Sequence, residues 1–546
     1  MQELSRRTKR LVIAGAVIAG AVVATGLIAP PPALAGPAGT TGPSETYLVL
    51  FKGSSSPADA GRTVTAAGGS VVADYDKIGV LVARSDNTAF AARLRANPKV
   101  EGATATADYA TRLDDLGAEG DAPSGPPSGG LPNAPAADED SLSPLQWDMR
   151  QIQVPEAHGI TGGSPAVVVG DIDTGTDYRH PDLRANISDA DSANCVSGAA
   201  VAGAAAADDD NGHGTHTAGT IAAAANGAGI VGVAPNVKIA SIKAATAEGL
   251  FFPHAVVCSF MWAAERHLDV TNNSYFADPF LFNCRNQADQ RIIWKSVQRA
   301  IRHAMQQGVT VVASEGNNAE DLSHPTMDRT SPDYPPGSQQ EREVTNACVV
   351  VPVEIPGVIG VTATGPVEQG TATGEYADHL KAYYSSYGMS TADVAAPGGD
   401  ARYFTPESVN GRVLSTWPSS RPCGRSVKEP TGDPDYPTAT YCYAQGTSMA
   451  GPHVAGVAAL VISEFGDLRT PQNGKMRPTQ VEQFIQQTAD PQSCPETLPT
   501  GYETFGAGSE SGTPPTCQGG GGGHTSWYGN GEVDALAAVT NDRSNG

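Results

Sequence analysis

The chain changes rhythm along its length. From residue 145 to 539, short apolar, β-branched runs alternate with stretches whose apolar residues recur at helical spacing. The runs at 166–172, 237–243, 270–274, 309–313 and 358–362 are apolar almost throughout. Such near-continuous runs suit strands of a parallel sheet covered on both faces. Between and after them, 255–267, 289–307, 448–464 and 479–488 carry helical patterns. The alternation predicts an α/β domain, a doubly wound and mostly parallel sheet with helices on both faces.

An earlier unit has its own pattern. Residues 47–51 read as a strand, 57–67 as a short helix opened by Ser56, and 70–75 and 78–84 as two strands. A second helix follows at 87–96, and 100–109 is a closing strand-like stretch. The order β-α-β-β-α-β is that of a small α+β, ferredoxin-like domain. From 114 to 143 large apolar residues give way to Asp, Glu, Pro, Gly, Ser and Ala, a solvated linker open to proteolysis. At the start, the basic stretch Arg6-Arg7-Thr8-Lys9-Arg10 precedes an uncharged run from Leu11 to Ala29 and the small-residue site Ala33-Leu34-Ala35. That layout predicts a cleaved signal peptide and a secreted, extracellular product, the alternative being an uncleaved anchor. The expected organisation is a signal peptide over 1–35, a small domain over 36–113, the linker over 114–143 and the large domain over 144–546.

Composition sharpens this. Gly (62) and Pro (41) are abundant, so turns and loops are many. The net charge of -23 speaks against nucleic acid or an anionic membrane as partner, since both select basic surface. Eight cysteines all lie beyond residue 190, none in C-x-x-C spacing, so no zinc site is expected. An even number in an oxidising compartment predicts up to four disulfides. Cys423–Cys442 and Cys494–Cys517 are suggested by proximity alone.

Three motifs fall where an α/β sheet presents ligands, at strand ends and helix starts. Gly170-Asp171-Ile172-Asp173-Thr174-Gly175 ends the first strand, and Asn211-Gly212-His213-Gly214-Thr215-His216 opens a small-residue helix. Gly446-Thr447-Ser448-Met449-Ala450-Gly451-Pro452-His453 opens another. Singly, each residue is more often a turn, cap or packing residue. Together they supply an acid, a base and a nucleophile, the parts that activate a hydroxyl. Ser448 at a helix N-terminus has backbone N–H groups aimed at a developing oxyanion.

These three motifs, in the order Asp, His, Ser, resemble the signatures of the subtilase family of serine endopeptidases over about residues 145–539. The resemblance implies a subtilisin-like fold and a triad of Asp173, His213 and Ser448. Gly316-Asn317 extends it, making Asn317 the oxyanion donor rather than its neighbour Asn318. Asp171 and Asp177, His216 and His453 are the competing residues, and none carries the flanking pattern. Gly249, Leu250 and Phe251 look like the edge segment that pairs with an extended substrate. Ser274, Tyr275, Phe276 and Ala313, Ser314, Glu315 look like two pocket walls. Phe276 replaces a usual glycine and Glu315 a usual small residue, which implies a narrowed pocket.

The resemblance makes the 36–113 unit an inhibitory pro-domain, a partner of the same chain beside polypeptide substrates, and a monomer is expected. No cofactor is required for the chemistry. Structural calcium is compatible with acidic loops such as Asp208-Asp209-Asp210, which read more readily as solvated turns. Two other classes compete. A serine esterase of α/β-hydrolase type needs G-x-S-x-G and the order Ser, Asp, His, whereas Ala450 stands in place of the last glycine. A silent binding scaffold would usually have lost one of the four key residues.

Overall fold

The computed structural model describes residues 41–106, 111–112, 140–276, 280–333, 339–368, 379–403, 408, 410–469, 474–499, 502, 512–519 and 523–543. The expected signal peptide, most of the linker and residues 107–109 of the closing strand lie outside them. In the small N-terminal unit, β1 (Thr41–Phe51), β2 (Ser70–Tyr75), β3 (Val80–Asn87) and β4 (Val100–Ala105) form one sheet. Their order is β2-β3-β1-β4 with neighbours antiparallel. Helices α1 (Ala60–Ala67) and α2 (Phe90–Arg95) complete the β-α-β-β-α-β connectivity. Helix α1 begins three residues later than expected. Ser56 does not cap it; its hydroxyl donates to Asp74 at 2.6 Å instead.

Side chains alternate between the two faces of this sheet, and both faces are apolar. Tyr47, Val49, Phe51, Leu81 and Ala83 pack with Val64, Phe90 and Leu94 in the unit's own core. Leu48, Leu50, Val80 and Val82 point the other way, into a core shared with the large domain. The short strand β5 (Thr111–Arg112) follows in the chain, and α3 (Trp147–Gln151) opens the large domain. Residues 140–143, expected in the linker, are already packed: Asp140 accepts the Asn226 and Gly227 N–H groups, and Leu142 is buried.

The large domain then runs β6 (Val168–Asp173), α4 (His213–Ala222), β7 (Lys238–Lys243), β8 (Leu250–Phe251) and α5 (Pro253–Glu265). It continues with β9 (Val270–Asn273), α6 (Ala288–Gln306), β10 (Thr310–Ser314), β11 (Ile359–Glu368), α7 (Thr447–Phe465) and α8 (Pro478–Thr488). These five are the parallel centre of a nine-stranded sheet, in the order β11-β10-β9-β6-β7, with antiparallel pairings at its two ends. The apolar runs are strands because each is buried on two sides. Val169 and Val312 meet Ala218, Ile221, Val454 and Leu460 from α4 and α7. Ile172, Val311 and Ala313 meet Val257, Phe260, Val297 and Ile301 from α5 and α6.

The chain passes from β7, on one side of β6, to β9 on the other. That reversal opens a crevice at the carboxyl ends of the strands. Four disulfides join Cys195–Cys258, Cys284–Cys348, Cys423–Cys442 and Cys494–Cys517.

The outer face of α5 and α6 carries the N-terminal unit. Lys295 pairs with Glu101 at 2.6 Å and Arg95 with Asp289 at 2.5 Å. Arg299 donates to the Phe51, Gly53 and Ile78 carbonyls. The apolar contact should dominate, because exposed ion pairs contribute little. Leu50→Ala should therefore cost about 2–5 kcal/mol in denaturant unfolding of the full chain. Val71→Ala, at a side chain 42% exposed, should stay within about 0.5 kcal/mol.

Candidate active site

Asp173 is the last residue of β6 and His213 the first of α4, and neither is exposed at all. His213 Nδ1 lies 2.8 Å from Asp173 Oδ1, and the same oxygen accepts the Thr174 N–H at 2.7 Å. A nitrogen facing a carboxylate carries the proton, so Nδ1–H donates. Two glycines allow this closeness. A Cβ on Gly214 would fall 2.1 Å from the Gly175 carbonyl oxygen, and one on Gly212, at φ 128°, 2.2 Å from the Trp417 ring.

Asp209 anchors the start of α4. Its carboxylate accepts the N–H groups of Asn211, Gly212 and Thr215 and the hydroxyls of Thr174 and Thr215. A carboxylate at a helix N-terminus satisfies donors that the helix cannot. The sequence offered this loop as a solvated turn or a calcium site, and did not foresee its part in the helix start. Its carboxylates are already engaged: Asp210 by Lys243 at 2.5 Å and Asp208 by Arg179 at 3.3 Å. Among the described residues no group of three His, Cys, Asp or Glu side chains is disposed to hold a metal ion.

Ser448 stands in the first turn of α7, 2% exposed. It is clasped to β9: its hydroxyl donates to the Ser274 carbonyl at 3.2 Å, and the Ser274 hydroxyl donates to the Ser448 carbonyl at 3.1 Å. Asn317, after β10, accepts the Thr447 N–H and hydroxyl on its Oδ1, both at 2.9 Å. Its NH2 is thereby turned away from Thr447. An acid–base pair, a serine at a helix start and an oriented amide thus sit on adjoining strand ends.

Sequence comparison agrees with that geometry: the Subtilase family, Peptidase_S8, matches residues 164–531. The chain belongs to the subtilase family. As a subtilase it is a serine endopeptidase. It is 30% identical to Subtilisin DY of Bacillus licheniformis over 318 residues, 58% of this chain and 83% of that one. It is 31% identical to Subtilisin Savinase of Lederbergia lenta over 321 residues, covering 58% and 84%. Of the Alkaline protease of Alkalihalobacillus alcalophilus, at 31% identity, the match spans 59%. The fold also resembles the Epidermin Leader Peptide Processing Serine Protease from Staphylococcus aureus. That likeness has a TM-score of 0.61 at 20% identity and covers 91% of this chain and 98% of that one.

The other expected site residues divide. Gly249, at φ 78°, leads into β8, whose Leu250 and Phe251 pair antiparallel with Arg112 and Thr111 of the same chain. Phe251 stacks on Tyr275 with ring centroids 4.3 Å apart. The Tyr275 hydroxyl donates to Asn273 Oδ1 at 3.0 Å. Phe276 is half-buried against the α5–α6 core. Ala313 is buried, and Ser314 donates to the Thr447 carbonyl at 2.7 Å, facing α7.

Glu315 departs from the expected pocket wall. Strand alternation turns it to the side opposite Ser314. There its carboxyl lies against Gly360, where a Cβ would come within 2.6 Å of Oε1, with the Thr391 hydroxyl beside it. Burial first, and then the nearby Glu354, Asp393 and Asp321 carboxyls, push its pKa well above the carboxylate range. Glu354 is likewise pushed up to about 8 by burial.

A carboxyl whose folded pKa is raised favours folding below its unfolded pKa of about 4.3 and loses that advantage as pH rises toward the folded value. The melting temperature should therefore fall as pH rises from about 4.3 toward the folded pKa. Glu315→Gln should flatten the fall, and thermal unfolding at several pH values checks it.

Proposed function

We propose that this subtilase hydrolyses peptide bonds with Asp173, His213 and Ser448 as its triad and Asn317 as oxyanion donor. The observation that carries the reading is the fully buried 2.8 Å contact between Asp173 and His213 at the strand ends where α7 also delivers Ser448. His213 takes the Ser448 proton as the hydroxyl attacks a substrate carbonyl, and Asp173 holds the ring and steadies its charged form. The Asn317 NH2 and the Ser448 N–H hold the oxyanion. His213 then protonates the leaving amine, and water releases the acyl-enzyme. The family needs no cofactor for this.

The same reading makes residues 36–113 a pro-domain and the chain a self-processed zymogen, secreted through residues 1–35 and active as a monomer. Two features support the inhibitory role. The N-terminal sheet buries an apolar face on α5 and α6, and Thr111–Arg112 adds a strand to β8, the edge assigned to substrate. Four disulfides accord with an oxidising compartment.

Ser448→Ala should abolish cleavage of unfolded casein and accumulate an unprocessed chain beginning near Gly36. Residual casein cleavage in that variant would overturn the assignment. Asn317→Ala should lower kcat by about 10²–10³, the size known for such a donor in subtilisin itself, with little change in KM. Steady-state kinetics on a chromogenic peptide decides it.

A further inference from the structure

Asp171 lies two residues before Asp173 on the same strand face, 1% exposed. Its carboxyl bridges two elements. Oδ2 is 2.7 Å from the Thr217 hydroxyl on α4, one turn beyond His213, and Oδ1 accepts the Asn272 amide of β9 at 2.9 Å. The bonds continue in both directions. Thr217 Oγ1 is 3.1 Å from the Gly214 carbonyl. The Asn272 amide also reaches the Ser274 hydroxyl at 3.1 Å, and Ser274 is the residue clasped to Ser448. One buried carboxyl thus joins the helix that carries His213 to the strand that holds Ser448.

We propose that Asp171 is a positioning residue for the reaction, a neutral carboxylic acid that ties the His213 helix to the Ser274–Ser448 clasp without adding a second negative charge beside Asp173. This rests on the triad assigned above. The groups facing Asp171 support a neutral acid. The titratable ones are Asp173 on its own strand and His213 on α4; Asn272 and Thr217 are neutral. Burial and the adjacent Asp173 charge push its pKa to about 8. Two carboxyls on one buried face do not readily ionise together. The protonated form also fits the contacts. Its Oδ2–H then donates to Thr217 Oγ1, whose own O–H donates to the Gly214 carbonyl, while Oδ1 still accepts from Asn272.

The test compares Asp171→Asn and Asp171→Ala with the parent enzyme in kcat, KM and the pH profile of kcat/KM. Asn has the shape and donor pattern of the neutral acid, so D171N should keep kcat at pH 7 within about threefold, whereas D171A should lose on the order of 10- to 100-fold in kcat with KM within about twofold. The parent profile should contain one ionisation more between about pH 6 and 9 than that of D171N, because only the parent can charge this position. D171A with parental kcat, or D171N falling as far as D171A or keeping the extra ionisation, would overturn the proposal. If D171A does not fold, the D171N profile alone decides. Ser448→Ala, assayed alongside, separates the two readings: its inactivity with a failed Asp171 result sinks this proposal alone, and its activity sinks the triad as well.

Discussion

A carboxylate and an imidazole held 2.8 Å apart with no exposure set the terms for everything around them. Charge at that depth is costly unless hydrogen bonds answer it. The fold answers with backbone. Thr174 donates to Asp173, and Asn211, Thr174 and Asp209 together accept the first N–H groups of α4. The glycines at 212 and 214 are demanded by the same closeness, since any side chain there would strike the Trp417 ring or the Gly175 carbonyl. His213 therefore has its position fixed by the fold itself, which is what the proposed role as base requires.

The same economy links the two units. In the N-terminal sheet one set of alternate residues builds the unit's own core and the other set joins the core of α5 and α6. This explains why Tyr47-Leu48-Val49-Leu50-Phe51 is apolar without alternation: a strand that packs on both faces has no side to leave polar. The run read clearly as a strand, but nothing in it named the surface that would cover its second face.

Most parallel strands and long helices were legible to within about two residues, because burial on two sides leaves an unmistakable composition. Ile359–Glu368, however, runs six residues past the expected end, and the parallel strand Val394–Pro397 was missed. The three-stranded sheet of Val413–Trp417, Ser426–Pro430 and Thr438–Ala444 was not legible, since its residues carry no strong period. Helix α1 was given the wrong start, because Ser56 has the right chemistry for a cap and spends it on Asp74. Two of the four disulfides join cysteines 63 and 64 residues apart, beyond the reach of any spacing argument.

At the site the division is sharper. The sequence by itself determined the family and singled out Asp173, His213, Ser448 and Asn317 for the proposed site, because their short motifs resemble the subtilase signatures. It could not say what Asp209, Asp171 or Glu315 do. Asp209 and Asp171 are defined by donors on other elements, and Glu315 by which side of β10 its Cβ takes. A carboxyl's role depends on its partners and on its distance from water, and both are properties of the folded chain. Only the tertiary structure decided them.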